Sequence, residues 1–178
     1  MTPSESARPA RGDSQTSEGE GAGPPPLRPF GLVLHHDGHW THEGQPILNR
    51  RIREKFDRSV RYLPDQAKYV VQIGRFRGEI EVEEAGFFVR DVDLDRAGVI
   101  LSDGSRDALD LESLRVSELD GAYLCTVKRE LAPGGLPARF SHVAQAELLT
   151  AVDEGEEGPV IRLGGRLRPM PLLHREIP

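Results

Sequence analysis

Cysteine, aromatic side chains and long apolar runs are all scarce in this sequence of 178 residues. Cys125 is its one cysteine, which excludes an intrachain disulfide and favours the reducing cytoplasm as its location. No apolar run reaches the length needed to span a bilayer, so we expect no membrane partner. Aromatic residues make up 6% of the chain, and part of this deficit lies at the N-terminus.

Residues 1–29 contain no aromatic residue and almost no large aliphatic residue. They consist mostly of Ser, Glu, Gly, Pro, Ala and Arg, and they include the run Pro24-Pro25-Pro26. Such a segment cannot bury enough apolar surface to offset the entropy that it would lose on ordering. We therefore predict a disordered tail over 1–29, which also lacks the apolar run of a secretory signal.

Motifs of the common enzyme classes are also missing. The chain has no Gly-x-Ser-x-Gly elbow, no phosphate-binding loop and no dinucleotide-binding glycine fingerprint. The adjacent Glu83 and Glu84 point to opposite faces of a predicted strand, so they cannot easily act as an acid–base pair. Cys125 has no local base or cation that would activate its thiol. We therefore expect a non-enzymatic protein without a cofactor.

A hairpin is predicted at the start of the ordered chain. The dipeptide Asp37-Gly38 favours a two-residue turn, in which both positions need positive φ. Strand alternation around such a turn places Trp40 on the face of Val33 and places Leu34 on the opposite face. The hairpin also carries His35, His36, His39 and His42.

These four histidines are candidates for a metal site. A two-residue turn brings two of them to one face, whereas a zinc site usually takes three or four protein ligands. We expect no metal site here. A metal-dependent hydrolase built on this hairpin is the weakest of three functional hypotheses.

An arginine-rich helix is predicted over residues 49–63. Asn49 is a suitable N-cap, and Pro64 ends the helix. Apolar residues recur at spacings of three and four, at Ile52, Phe56, Val60 and Leu63. The other positions carry many cations, which the helix places beside the hairpin, so that the two elements together form an anion-binding corner. Those cations are Arg50, Arg51, Arg53, Lys55, Arg58 and Arg61.

The net charge of −6 conceals a strong asymmetry along the chain. Residues 50–77 carry 9 basic and 3 acidic side chains, whereas residues 78–120 carry 4 basic and 13 acidic ones. The acidic balance of the whole argues against duplex DNA as a partner, because DNA binding neutralises many phosphates. The local basic block remains compatible with a small phosphorylated ligand.

The remaining pattern predicts a strand-rich α+β protein of antiparallel sheets with two amphipathic helices. We predict a subdomain of hairpin, helix and strands over 30–95 and a second of strands, helix and strand over 96–178. The second helix is predicted at 138–152. The predicted strands after the first helix are 68–73, 79–83, 87–94, 99–101, 108–111, 122–128 and 159–163.

Residues spread over 31–169 follow the pattern of one bacterial family. The C-terminal helix and the Gly164-Gly165 turn match it, and so do several positions in the N-terminal and central parts: Asp37-Gly38, Trp40, Gly44, Pro46-Ile47, Phe56, Tyr69, Ile80-Glu81-Val82-Glu83-Glu84-Ala85 and Phe87. The chain therefore resembles the family known as domain of unknown function 1285.

The resemblance implies an α+β fold with a duplicated structural motif and a C-terminal half similar to a pleckstrin-homology barrel. It also implies a ligand site between the two halves, with a nucleotide-like second messenger as the suggested ligand, and no established activity. The chain departs from the family at Ile73-Gly74-Arg75-Phe76, where Thr-Pro-x-Glu is usual. It also has Gly86 in place of a proline and His142 in place of an arginine.

Arginine side chains are the strongest candidates for a ligand site, because guanidinium groups bind phosphate oxygens bidentately. The first hypothesis is a bacterial signalling protein that binds a small anionic, nucleotide-like ligand between its halves. Arginines would hold the phosphate, and Trp40 or Phe76 would stack on a base. The alternative is a protein-interaction adaptor without a small ligand. The predicted ligand-binding residues are Trp40, Arg75, Phe76, Arg77, Arg139 and Arg166.

Overall fold

Two six-stranded sheets with the same strand order dominate the computed structural model, which describes residues 27–173. The first sheet contains β1 (Arg28–Leu34), β2 (Trp40–His42), β3 (Gln45–Pro46), β4 (Val60–Leu63), β5 (Lys68–Ile73) and β6 (Phe76–Val82). The second contains β7 (Phe87–Asp93), β8 (Gly98–Leu101), β9 (Arg106–Ala108), β10 (Arg115–Val116), β11 (Tyr123–Val127) and β12 (Leu136–Phe140). Counted along the chain, the six strands of each sheet lie in the order 3-2-1-6-5-4. In each, two antiparallel meanders are joined by one parallel pair, β1 with β6 and β7 with β12.

Two helices and a third sheet complete the described part. Helix α1 (Arg50–Ser59) follows β3, and helix α2 (His142–Thr150) follows β12. Short 3₁₀ turns lie at Pro64–Gln66 and Leu111–Ser113. The third sheet consists of β13 (Val152–Gly155), β14 (Gly158–Leu163) and β15 (Arg166–Pro169). The predicted strand-rich α+β class is thus confirmed.

Both predicted helices are shorter in the structure, because part of each predicted segment pairs as a strand. Helix α1 ends at Ser59, and the fully buried Val60 begins a strand that lies antiparallel to β5. Helix α2 begins four residues later than predicted because Ala138 and its neighbours pair with β7. The hydroxyl of Ser141 then caps the helix by accepting from the Ala144 N–H at 3.3 Å.

The first hairpin forms with a different turn from the one predicted. Of Asp37 and Gly38, only Gly38 has positive φ, at +84°. This geometry matches a type I turn followed by a glycine bulge and shifts the register by one residue. Trp40 consequently pairs with Leu34 and shares its buried face, and the predicted common face with Val33 is wrong.

The two six-stranded sheets share one hydrophobic core and meet at residues 83–86. The ring of Tyr69 from the first sheet lies edge-on to Phe87 from the second, at 6.0 Å between centroids. Gly86 permits this approach, since a Cβ there would lie 2.3 Å from the Tyr69 ring. The sheets therefore change at 83–86, whereas the predicted subdomain boundary lay near Asp95.

The predicted disordered tail lies almost wholly outside the described residues, and its last two residues belong to β1. Within 27–173, no helix is long and apolar enough to cross a membrane.

Candidate anion-binding cleft

Helix α1 lies on the surface of the first sheet. Asn49 caps its N-terminus as predicted, with its side chain accepting from the N–H groups of Arg51 and Ile52. None of the ten helical side chains is fully buried. The helix is held instead by Phe56, whose ring lies 5.3 Å from that of Trp40, and by Asp57. Its charged flank therefore remains open.

A cleft of about 590 Å³ runs along this charged flank, between α1 and the second sheet. The rest of its walls is formed by Gly38, from the first hairpin turn, and by the loop after β8. The chain thus brings helix and hairpin together at one recess, as the predicted anion-binding corner requires. The lining residues are Gly38, Arg50, Arg53, Glu54, Asp57, Arg58, Arg90, Ile100, Leu101, Ser102 and Gly104.

Asp57 organises the inner end of the cleft. Its Oδ1 accepts from the indole N–H of Trp40 at 2.9 Å, and its Oδ2 accepts from Nη2 of Arg90 at 2.7 Å. Burial raises the pKa of Asp57, and the bonds from Trp40 and Arg90 oppose that rise by favouring the carboxylate. Because Arg90 also lies 5.6 Å from the centroid of Phe88, its guanidinium is fixed from two directions.

Three further arginines, all on α1, line the cleft. Arg50 donates to Glu54 at 2.7 Å, and this bond lowers the pKa of that carboxyl group. For the guanidinium groups of Arg53 and Arg58, residues 27–173 provide no hydrogen-bond or ion-pair partner. With four arginines and two carboxylates, the cleft has an excess of two positive charges.

A buried hydroxyl adds a possible donor to the cleft wall. Ser102 Oγ accepts from the N–H of Phe88 at 3.1 Å, so the hydroxyl proton remains available for another acceptor. The recess is thus surrounded by the fixed guanidinium of Arg90, the guanidinium groups of two further arginines and the hydroxyl of Ser102. Such a set of donors suits an anion with several oxygen atoms.

The six residues predicted to bind a ligand are spread over three sheets. None of the six lines the cleft, and the buried Trp40 is connected to it only through its bond to the lining residue Asp57. Arg75 lies in the turn between β5 and β6, with its guanidinium 5.6 Å from the centroid of the exposed Phe76 ring. Arg77 is in β6, Arg139 in β12 and Arg166 in β15. The structure therefore does not gather the predicted set into one recess.

Arg139 is buried, with 3% of its surface exposed, and its guanidinium is occupied by the protein. It forms ion pairs with Glu84 and Asp120 and donates to Ser117 Oγ at 3.2 Å. Burial acts to lower the pKa of Arg139, and the two carboxylates more than reverse that effect. Since Glu84 lies at the junction of the sheets, this cluster ties them together, and we leave Arg139 out of the candidate site.

The hairpin histidines are held by nearby side chains, and two of them share a carboxylate, since Nδ1 of His35 and Nδ1 of His36 lie 3.5 Å and 2.8 Å from Oε2 of Glu83. His35 bonds Thr41 at 3.0 Å, His36 bonds Glu83 at 2.8 Å, and His39 bonds its neighbour Asp37 at 2.7 Å. No group of three or more His, Cys, Asp or Glu side chains converges within the part of the chain that the structure describes.

The chain is similar in fold to solved proteins of the family of domain of unknown function 1285. A crystal structure of a member from Silicibacter pomeroyi DSS-3 is 16% identical, with a TM-score of 0.54, and the match covers 85% of this chain and 89% of that one. A member from Shewanella baltica OS155 is also 16% identical, with a TM-score of 0.44 over 68% of this chain and 91% of that one. No family model and no curated protein matches the sequence. The predicted resemblance is thus confirmed at the level of the fold.

Proposed function

We propose that the protein is a non-enzymatic sensor that binds a small phosphate-bearing ligand in the cleft beside α1. The observation that carries the proposal is a pair of guanidinium groups, Arg53 and Arg58, beside an arginine already fixed in place. Residues 27–173 give this pair no hydrogen-bond or ion-pair partner. Arg90 is held by Asp57, so a phosphate bound to it meets a donor that needs no further ordering. The two free arginines supply the charge that the cleft carries in excess.

The size of the cleft fits a nucleotide-like ligand. Its volume of about 590 Å³ lies within the range of about 300–1,000 Å³ that is usual for small-molecule sites. The hydroxyl of Ser102 and the guanidinium planes provide polar contacts for sugar or phosphate oxygens. The resemblance to the family, for which a nucleotide-like second messenger has been suggested, supports the same chemical class.

The position of the cleft supports a signalling role. One wall is α1 on the first sheet, and the opposite wall belongs to the second sheet. Because α1 buries no side chain fully, its attachment to the second sheet depends on the bond between Asp57 and Arg90. A phosphate that bridges Arg53 or Arg58 to Arg90 would strengthen this attachment and change the surface that α1 presents to a partner.

The test is a binding screen with variants of the free arginines. Thermal unfolding and calorimetry would compare inorganic phosphate, pyrophosphate, nucleoside mono-, di- and triphosphates and cyclic dinucleotides. A ligand at a hundred times its Kd adds about 2.7 kcal/mol to the free energy of unfolding. Arg53→Gln and Arg58→Gln should each weaken binding at least tenfold, since a charge-assisted hydrogen bond is worth about 1.5–3 kcal/mol. Arg168→Gln, in the third sheet, is the matched control and should bind normally.

The adaptor hypothesis gives a different result in the same screen. If no phosphate compound binds and a defined protein partner binds equally well to the wild type and to Arg53→Gln, the protein acts through protein contacts alone. Binding that is lost equally in Arg53→Gln and Arg168→Gln would reflect nonspecific attraction and would also contradict the cleft.

A further inference from the structure

A second recess lies on the other flank of α1, between the helix and the first sheet. It has a volume of about 520 Å³, and its lining is almost entirely apolar. Ile52 and Phe56 contribute the helix side, while Phe30, Val71 and Phe76 contribute the sheet side. These side chains form the apolar groove.

The walls of the apolar groove are left open to solvent. Phe76 is 65% exposed and Ile52 is 43% exposed, although they line the same recess as the fully buried Val71. The groove has a shaped wall, because Gly78 lets the ring of Phe30 lie directly on the sheet, where a Cβ would come within 2.2 Å of that ring. Contiguous exposed apolar surface of this kind usually marks a binding site.

The charge beside Phe76, one of the residues that line the groove, indicates what kind of apolar ligand fits. The guanidinium of Arg75 lies 5.6 Å from the centroid of Phe76, and residues 27–173 offer it no carboxylate partner. His42 also lines the groove, and its ring supplies an N–H donor. The walls therefore match an apolar body, and the rim matches a negatively charged head.

We propose that the apolar groove binds the acyl chain of a long-chain carboxylate, with the carboxylate at Arg75. The chain lies between Phe76 and Phe30 on one side and Ile52 on the other. A small molecule is favoured over a peptide helix because the volume falls within the usual range for small ligands. A peptide helix would need a row of pockets at helical spacing, and α1, with ten residues and a length of about 15 Å, already occupies that part of the sheet.

The chain contains one tryptophan, which provides a direct reporter of this site. Trp40 contacts Phe56, one of the groove residues, at 5.3 Å between ring centroids. Its fluorescence would be followed while octanoate, decanoate and dodecanoate are added below the concentrations at which they form micelles. Each buried CH₂ is worth about 0.8 kcal/mol, so affinity should rise about fifteenfold for every two carbons. Affinity that does not change with chain length would overturn the proposal.

A pair of variants distinguishes binding in the groove from nonspecific binding to other apolar surface. Phe76→Glu should abolish dodecanoate binding, because it places a carboxylate against the chain. Leu167→Glu is the matched control, since Leu167 is 58% exposed on β15, and it should bind normally. Both side chains are exposed, so both variants should fold. Equal loss in the two variants would refute the groove.

A second pair of variants tests the head group. Arg75→Gln should weaken dodecanoate binding about tenfold and leave dodecanol binding unchanged, whereas Arg168→Gln should alter neither. Arg53→Gln should also leave dodecanoate binding intact, because Arg53 lines the other recess. Tight binding of an acidic amphipathic peptide, with no binding of any fatty acid, would replace the acyl proposal by a protein-docking one.

Discussion

The two six-stranded sheets share a strand order but differ in what covers them. The second sheet is closed by α2, which buries Ala144 and Leu148, and by the third sheet, which buries Ile161 and Leu163. Within residues 27–173, the helix that packs on the first sheet is α1, which buries no side chain fully and leaves a recess on each flank. One topology therefore occurs in two settings. The second sheet supplies most of the closed core, and the first sheet leaves two recesses open beside α1.

Two arginines show the same contrast at the level of single side chains. Arg139, in the second sheet, is buried and paired with Glu84 and Asp120. Arg53, on the helix of the first sheet, lines a cleft and has no partner in the described residues. A guanidinium that the protein has neutralised holds structure together, whereas a free one at a recess remains available to an anion.

Removing the buried guanidinium should have one of the two largest effects. Arg139→Met leaves Glu84 and Asp120 without their cation, and breaking one side of a buried ion pair costs about 3–5 kcal/mol. Since Asp120 is 37% exposed, the lower end of that range applies. Arg53→Met should change the free energy of unfolding by less than about 0.5 kcal/mol. Urea denaturation measures the free energy of unfolding of both variants. Similar decreases in the two would contradict the contrast between Arg139 and Arg53.

Truncation of an apolar residue on each helix is the next test. Leu148→Ala removes a fully buried side chain and should cost about 2–5 kcal/mol through lost transfer energy and the cavity left behind. Ile52→Ala, at a half-exposed position in α1, should cost about 1 kcal/mol or less. Denaturant unfolding with unchanged m-values would make the two numbers comparable. A large cost for Ile52→Ala would show that α1 contributes more to the core than its exposure indicates.

Local features of the fold were predictable from the sequence. Asn49 caps α1 because its short side chain follows a turn and precedes the periodic apolar residues. The strand 68–73 was bounded correctly because β-branched residues lie between turn signals. Non-local pairing was not predictable in the same way. Val60 and Ala138 fit a helical spacing, yet each lies in a strand because a distant partner strand is available.

The candidate cleft shows the same limit. Sequence patterns place arginines on α1 beside the first hairpin, and both elements do line the cleft. The contribution of Arg90 and Ser102 depends on how the second sheet packs against α1, which no local pattern encodes. Conversely, Arg139 was predicted as a ligand residue because its type is right, while its burial against Glu84 and Asp120 is a property of the fold.

The smallest effect should come from a pair at the junction of the two sheets, His36 and Glu83. The N–H and Nδ1 of His36 both lie 2.8 Å from the same carboxylate oxygen. The hydrogen bond to Glu83 raises the pKa of His36 above 6.5, and the bonds from His36 lower the pKa of Glu83 below 4.5. The contribution of His36 to the free energy of unfolding is therefore complete below pH 6.5. It is lost as the pH rises through the raised pKa of His36. The contribution of Glu83 to the free energy of unfolding is present above pH 4.5. It is lost as the pH falls through the lowered pKa of Glu83.

The pair should consequently stabilise the fold most between pH 4.5 and 6.5. His36→Gln should cost about 0.2–1 kcal/mol near pH 5.5, the range for partly exposed pairs, and less near pH 8.5. Urea denaturation at the two pH values measures the difference. In the background of Glu83→Gln, the pH dependence of the His36→Gln cost should become smaller, because the carboxylate that bonds the imidazolium is gone and only the weaker charge interaction with Asp37 remains. A cost that persists unchanged in that background would show that the hairpin and the junction are not coupled through this charge.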